Sequence, residues 1–270
     1  MNHTQIVLQI TDTDLQDILI AQLAEIDYDG FEQDETTVKA YIEETLYNES
    51  ALFELLNDYN ISFEKNIILK QNWNEVWESN FQPVFVDDFV GVRASFHQPI
   101  KNTEHEIVIT PKMSFGTGHH ATTYTVMQLM REVDFKNKSV FDFGSGTGIL
   151  AILAEKLGAV NILAVDHDDW CIENSIENIQ QNNCTHITVT KADHATTAQT
   201  FDIVIANINK NIIQDNFELI HKACKPNGTV ILSGLLIEDE IDILTLAESK
   251  KWRHITTRNK GAWIAILFEL

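Results

Sequence analysis

The sequence predicts an α/β protein in which a small α+β domain precedes a larger, mostly parallel sheet. Three observations support this prediction. Short strand and helix patterns fill the chain up to about residue 70, apolar strands then alternate with helical stretches, and two antiparallel strands end the chain. With 270 residues, the chain is long enough for two modest domains, each with its own core.

Residues 1–69 are predicted to form a split-βαβ, ferredoxin-like module. QIVLQI alternates as a strand does, and TDTDLQDILIAQLAEID combines capping residues with helical periodicity. Phe31–Ile42 is predicted to be a hairpin turned near residues 34–35, Glu49–Asn57 a second helix and Phe63–Leu69 a strand, which completes the order βαββαβ. Because none of these residues forms a catalytic pattern, we interpret the module as a recognition domain.

Residues 70–83, KQNWNEVWESNFQP, are predicted to be a linker to a second domain that spans residues 84–270. Three aromatic residues recur there at intervals of four, so a short helix would carry one aromatic face. We interpret this face as packing of the linker against the second domain rather than as a ligand site.

The second domain alternates predicted strands with helical stretches, which makes a parallel sheet with right-handed crossovers. The predicted strands are Val84–Val92, Glu106–Ile109, Ser139–Phe143, Asn161–Val165, Ile187–Thr190, Phe201–Ala206 and Thr229–Ser233. KWRHITT, a turn at residues 258–261 and AWIAILFEL then predict an antiparallel hairpin. A dinucleotide-binding dehydrogenase would instead continue into a second mononucleotide-binding half.

The segment 139–166 is predicted to bind an adenosine-containing ligand. Its first strand leads into Gly144, Gly146 and Gly148, which allow the backbone to turn sharply and to approach a ligand closely. The helix that follows offers free N–H groups and a positive dipole to an anionic group. Asp166 ends the next strand, 22 residues after Gly144, where its carboxylate can accept hydrogen bonds from both hydroxyls of a ribose.

Three further segments carry candidate site residues. MSFGTGHHATT, residues 113–123, is an irregular loop that ends in Thr122 and Thr123, whose hydroxyls can reach a ligand but are expected to cap a helix. Asn207 follows the fourth strand of the sheet, where its carbonyl can accept a hydrogen bond from an amine or the residue can merely end the strand. Asp193, after the third strand, can meet an adenine amino group or be an ordinary loop aspartate.

The composition limits the classes of partner. Forty acidic and nineteen basic side chains give a formal net charge of −21, which disfavours nucleic acid and anionic membranes and favours a basic protein, although the acidity can also serve solubility alone. Three widely spaced cysteines predict reduced thiols and no metal knuckle. We expect a cytoplasmic protein, because neither a membrane-spanning run nor a signal-peptide pattern is present.

Five segments, in their order and spacing, resemble the bacterial ribosomal protein L11 methyltransferase (PrmA) family: MSFGTGHHATT, VFDFGSGTGILAILAEKLGA, AVDHDDWCIENSIENI, FDIVIANI and GTVILSGLL. NWNEVWESNFQPV is similar to the linker of that family. In that family the sequence of the early loop is usually close to LAFGTGxHxTT. The differences at Met113 and Ser114 are expected to alter only packing. The resemblance implies a Rossmann-like, class I methyltransferase sheet with an antiparallel C-terminal hairpin, preceded by the small ferredoxin-like domain.

The resemblance also implies S-adenosylmethionine as the cofactor and no metal. Residues implied to bind it are Phe115, Thr117, Thr123, Gly144, Gly146, Asp166 and Asn207. Asn207 is in addition the implied catalytic residue, since its carbonyl would orient the lone pair of a neutral amine. The implied substrate is a basic large-subunit ribosomal protein, methylated on lysine or N-terminal amines by a monomeric enzyme that binds neither nucleic acid nor membrane directly.

Other functions stay open from the sequence. One is a methyltransferase for a small-molecule amine, a nucleic acid or another protein. Amino methyltransferases of nucleic acids usually follow this asparagine with Pro-Pro-aromatic, whereas Ile208 and Asn209 follow Asn207. Another is a dinucleotide-dependent oxidoreductase or a non-catalytic cofactor-binding module, which would give Asn207 and the terminal hairpin no role.

Overall fold

The computed structural model describes residues 3–68, 82–111 and 118–270. The chain divides into two compact units, Met1–Asn80 and Phe81–Leu270. Almost all of the predicted linker lies outside the described residues, so its aromatic helix and the predicted domain boundaries stay predictions.

The first unit is a four-stranded antiparallel sheet with two helices. Its elements are β1 (His3–Gln9), α1 (Thr13–Glu25), β2 (Gly30–Gln33), β3 (Thr37–Glu43), α2 (Glu49–Asn57) and β4 (Phe63–Ile68). The strand order β2-β3-β1-β4 confirms the predicted ferredoxin-like arrangement. The side chains of Asp12 and Asn48 accept first-turn N–H groups of α1 and α2, which explains where both helices begin.

The two faces of this sheet differ in character. On one face, alternate residues of β1 and β3 are buried with leucines of α1 and α2. On the other face, Asn66 donates a hydrogen bond to Gln5 (3.1 Å), and Gln5 donates to Tyr41 (2.8 Å). Tyr41 donates in turn to Glu32 (2.8 Å), so a polar chain crosses all four strands.

Residues 3–68 carry fifteen acidic side chains and only two basic ones.

The second unit contains a seven-stranded sheet and a separate three-stranded sheet. Its strands are β5 (Val84–Val86), β6 (Val90–Ala94), β7 (His105–Ile109), β8 (Ser139–Phe143), β9 (Asn161–Asp166), β10 (Ile187–Lys191), β11 (Phe201–Asn207), β12 (Cys224–Leu236), β13 (Arg253–Lys260) and β14 (Trp263–Glu269). Its helices are α3 (Ala121–Met130), α4 (Ile149–Lys156), α5 (Asp169–Gln181), α6 (Lys210–Ala223) and α7 (Glu240–Ser249).

The large sheet has the order β10-β9-β8-β11-β12-β14-β13. Pairing is parallel from β10 to β12 and antiparallel at β14 and β13, which confirms the predicted parallel sheet and terminal hairpin. The strand order reverses between β8 and β11, where open α/β sheets bind their ligands beyond the carboxyl ends of the strands. The fold therefore directs attention to the ends of these two strands.

Both faces of the large sheet are covered. Successive residues of β8, Val140 and Phe141, belong to two different apolar clusters, and so do Ile203 and Val204 of β11. A strand that is buried on both faces has a continuous apolar sequence, which is why these strands were predictable. No helix within the three described ranges is both long and apolar enough to span a membrane.

Three predicted elements were wrong in detail. The strand predicted over Thr229–Ser233 is β12, which begins at Cys224 and ends at Leu236. The single strand predicted over Val84–Val92 is an antiparallel hairpin of β5 and β6, because Asp87 adopts a left-handed φ of 50° and reverses the chain. The turn of the terminal hairpin lies two residues later than predicted. Lys260 pairs with Trp263 across it, and Gly261 supplies the left-handed conformation, with φ of 59°.

Candidate active site

The described site residues lie at the carboxyl ends of three neighbouring strands and in the first turn of α3. The glycine turn follows β8, Asp166 ends β9 and Asn207 ends β11, while Thr123 belongs to α3. Phe115 and Thr117 lie within residues 112–117, outside the described residues, and their predicted contacts stay predictions.

The glycine turn has the sharp backbone that its sequence predicts. Gly144, Gly146 and Gly148 have φ values of 79°, 53° and 75°, a region that strongly favours glycine. The N–H groups of Gly144 and Ser145 both donate to the carbonyl of Val165, at 2.9 and 3.0 Å. The turn is therefore fastened to the end of β9, beside Asp166.

Asp166 is nearly buried, and backbone groups hold its carboxylate. Oδ2 accepts the Gly146 N–H at 2.8 Å, and Oδ1 accepts the Asp168 N–H at 3.1 Å. Oδ1 also lies 3.3 Å from Nδ1 of the exposed His167, while Oδ2 keeps a second lone pair that can accept a hydrogen bond from a ligand diol. The structure thus orients Asp166 across the glycine turn.

A second carboxyl lies below the turn, at Asp142 in β8. It is fully buried, and neither of its oxygens has a hydrogen-bond partner among the described residues. Burial and the nearby Asp166 carboxylate raise the pKa of Asp142 to about 7, although the Ala151 N–H at the start of α4 lowers this pKa in part. A buried carboxyl that the Ala151 N–H compensates only in part favours a cationic ligand when it is ionised.

Asn178 of α5 and Asn182, the residue that follows α5, fasten β7 and the residue after it beside the glycine turn. Asn178 is fully buried; its Oδ1 accepts the Thr110 N–H at 2.7 Å, and its Nδ2 donates to the Thr147 carbonyl at 2.9 Å. Asn182 makes two hydrogen bonds with the backbone of Val108, at 3.0 and 2.6 Å. Both residues hold the segment of β7, but only Asn178 also holds the turn.

Asn207 and Thr123 meet on the other side of the site. Asn207 Nδ2 donates to Thr123 Oγ1 at 3.4 Å, whereas Asn207 Oδ1 is buried and has no hydrogen-bond partner in the described part of the chain. The expectation that the threonines cap α3 was wrong, since the helix is capped by His120. Its Nδ1 accepts the Thr122 N–H and lies 2.8 Å from the Thr122 hydroxyl. Thr123 is consequently free to contact Asn207.

The model of the ribosomal protein L11 methyltransferase (PrmA) family matches residues 4–270. The chain belongs to this family. Its members include ribosomal protein L11 methyltransferases of Phocaeicola vulgatus, 39% identical over 94% of this chain and 93% of the relative, and of Porphyromonas gingivalis, 41% identical over 93% and 90%. Membership in the PrmA family makes the chain a methyltransferase.

A solved structure agrees with this assignment. The ribosomal protein L11 methylase of Lactobacillus delbrueckii subsp. bulgaricus superposes with a TM-score of 0.65 at 27% identity, over 70% of this chain and 98% of that one. The architecture is accordingly the class I methyltransferase fold that the resemblance implied, with its hairpin-closed sheet.

Sequence reasoning missed two buried polar residues beside the glycine turn, Asp142 and Asn178. Asp142 could have been noticed as the one charged residue in the apolar strand SVFDF. Asn178 carries no comparable local signal, because its partners lie 31 and 68 residues away along the chain. Asp193 is exposed in the loop after β10, and its contact with adenine stays a prediction.

Proposed function

We propose that this chain transfers methyl groups from S-adenosylmethionine to lysine or α-amino groups of ribosomal protein L11. The observation that carries the proposal is the buried carbonyl of Asn207 at the end of β11, beside Thr123, which has no hydrogen-bond partner among the described residues. A buried carbonyl oxygen without a partner is costly unless a ligand supplies a donor, and an amine has such N–H groups.

The donor side of the site fits S-adenosylmethionine. Asp142 and Asp166 are buried carboxyls close to the glycine turn, and their charge suits a ligand that carries a sulfonium and an ammonium group. Asp166 would accept the ribose hydroxyls, and Gly144 and Gly146 would allow the close approach of the ligand. An acid at the position of Asp166 also occurs in dinucleotide-binding sites, but an ionised Asp142 beside the glycine turn would repel a pyrophosphate, which argues against the oxidoreductase alternative.

When bound, S-adenosylmethionine supplies a methyl group that is already activated by its positive sulfur. The chain has therefore to bind and align the two reactants, and no catalytic triad is required. A lysine amine has an ordinary pKa near 10.4, and it must lose a proton before it can attack. Asn207 would accept a hydrogen bond from the neutral amine and thereby direct its lone pair, in a partly buried position that disfavours the charged form.

The charge distribution supports a basic protein as the acceptor. Residues 3–68 hold fifteen of the forty acidic side chains but two of the nineteen basic ones. Such a surface attracts a basic protein and repels nucleic acid. We propose that this unit recognises the acceptor, and that a ribosomal substrate is met in the cytoplasm by a monomeric enzyme.

The experiment is methyl transfer from labelled S-adenosylmethionine to purified ribosomal protein L11. The purified chain is expected to label L11, and with S-adenosylmethionine of natural isotopic composition each transfer should raise the intact mass of L11 by about 14 daltons. A second basic ribosomal protein serves as the acceptor control and should stay unlabelled. Asn207→Ala should slow labelling by about 100-fold, because it removes the carbonyl that orients the amine.

Two results would overturn the proposal. If the chain binds S-adenosylmethionine but leaves L11 unlabelled while it methylates a small amine, the acceptor is wrong. If calorimetry detects binding of NAD and none of S-adenosylmethionine, the reaction class is wrong.

A further inference from the structure

Ile208, the residue after Asn207, lies between two glycines from different parts of the chain. A Cβ atom on Gly144 would lie 2.2 Å from Ile208 Cγ2, and a Cβ atom on Gly234 would lie 2.1 Å from the carbonyl oxygen of Ile208. Both distances are far below van der Waals contact, so neither position accepts a side chain unless Ile208 moves. The two glycines thus bear on opposite ends of one residue.

The backbone of β12 holds Ile208 from the Gly234 side. The Ile208 N–H donates to the Ser233 carbonyl at 3.1 Å, and Ser233 is the parallel partner of Asn207. Pairing of β12 with β14 shifts register between Ser233 and Leu235, and Gly234 has a φ of 82°. Gly234 is therefore a bulged residue, and the bulge brings its α-carbon against the Ile208 peptide group.

We propose that Ile208 is a positioning residue, which fixes Asn207 relative to the glycine turn through its branched methyl group, and that Gly234 holds it in place. The inference rests on the proposed role of Asn207. The methyl group Cγ2 contacts the turn that would hold the methyl donor, and the peptide group of Ile208 is bonded directly to Asn207. Because methyl transfer requires close alignment, a shift of Ile208 should lower the rate more than the affinity for the donor.

The first test compares Ile208→Leu with Ile208→Val. Leucine keeps the side-chain volume but loses the branch at Cβ, whereas valine keeps the branch that contacts Gly144. We expect Ile208→Leu to lower kcat at least tenfold with the Kd for S-adenosylmethionine within threefold of wild type. Ile208→Val should retain kcat within threefold. A leucine variant with the wild-type kcat would overturn the proposal.

The second test compares Gly234→Ala with Gly261→Ala. Both glycines are left-handed, but a Cβ atom on Gly261 meets nothing within 4 Å, so only Gly234→Ala displaces Ile208. Both variants should lose stability, and only Gly234→Ala should lose kcat, at least tenfold. If Gly234→Ala does not fold, the comparison of Ile208→Leu with Ile208→Val tests the proposal by itself.

These outcomes are distinct from those of the proposed function. An enzyme that labels L11 and depends on Asn207, but tolerates Ile208→Leu and Gly234→Ala, would refute the positioning role alone. A wild-type chain that fails to label L11 would refute the function itself.

Discussion

The two sides of the site are built in different ways. The glycine turn, between β8 and β9, is held by many contacts: two N–H groups fasten it to Val165, Asp166 spans it, and Asn178 ties it to β7. The end of β11 presents one amide whose carbonyl has no partner in the described residues. We infer that the first region binds the methyl donor in a fixed position and that the second directs the acceptor amine.

The largest effect is expected from Asp166→Ala. Loss of the carboxylate removes the acceptor for a ribose and releases the Gly146 N–H, so the Kd for S-adenosylmethionine should rise at least 100-fold, or about 2.7 kcal/mol. Asp169→Ala, three residues later, serves as the control because its side chain is exposed and pairs with the exposed Lys191. Equal Kd values of the two variants for S-adenosylmethionine would show that Asp166 does not bind the methyl donor.

Asp142→Asn should weaken donor binding by about tenfold and yet stabilise the ligand-free protein. The pKa of Asp142 is raised to about 7 in the fold, against about 3.9 in the unfolded chain, so its contribution to stability is present below pH 4 and lost as pH rises to 7. At pH 8 the variant should unfold with a free energy up to about 4 kcal/mol greater than wild type, measured in urea. If the free energy of unfolding depends on pH in the same way in the variant and in the wild type, burial does not raise the pKa of Asp142.

Asn178→Ala separates the donor side from general packing. It frees the Thr110 N–H and the Thr147 carbonyl, so stability should fall by about 1–2 kcal/mol and the Kd for S-adenosylmethionine should rise about fivefold. Asn182→Ala is the matched control, since Asn182 follows the same helix and its described hydrogen bonds go to Val108 and to Asn178 rather than to the turn. A similar rise in Kd for both variants would show that stability alone, rather than the tie to the turn, governs binding.

The smallest effect is expected on the acceptor side, at Thr123→Val. Valine keeps the shape of threonine but removes the hydroxyl that accepts from Asn207 Nδ2, so the amide is less firmly oriented. The single-turnover rate at saturating donor should fall about threefold to fivefold. Thr123→Ser, which keeps the hydroxyl, should have the wild-type rate. A valine variant as fast as wild type would show that Thr123 does not orient Asn207.

Features set by local sequence patterns could be predicted, whereas contacts between distant segments could not. The strands β8, β9 and β11, the glycine spacing and the helix Glu49–Asn57 follow from local patterns, and they were predicted with nearly correct bounds. The bounds of β12 were wrong, since this strand begins five residues before and ends three residues after the predicted Thr229–Ser233. The hairpin at Asp87 depends on one non-glycine residue in a left-handed conformation, which local propensity disfavours. The tie through Asn178 depends on segments distant in the chain, so no local pattern could indicate it.

The most direct test of this division is calorimetry on Asn207→Ala, combined with its single-turnover rate. We predict that Asn207→Ala has a Kd for S-adenosylmethionine within threefold of wild type and transfers methyl groups to L11 about 100-fold more slowly. A variant that loses donor affinity as strongly as Asp166→Ala, or one that transfers methyl groups at the wild-type rate, would contradict the claim that the end of β11 directs the acceptor.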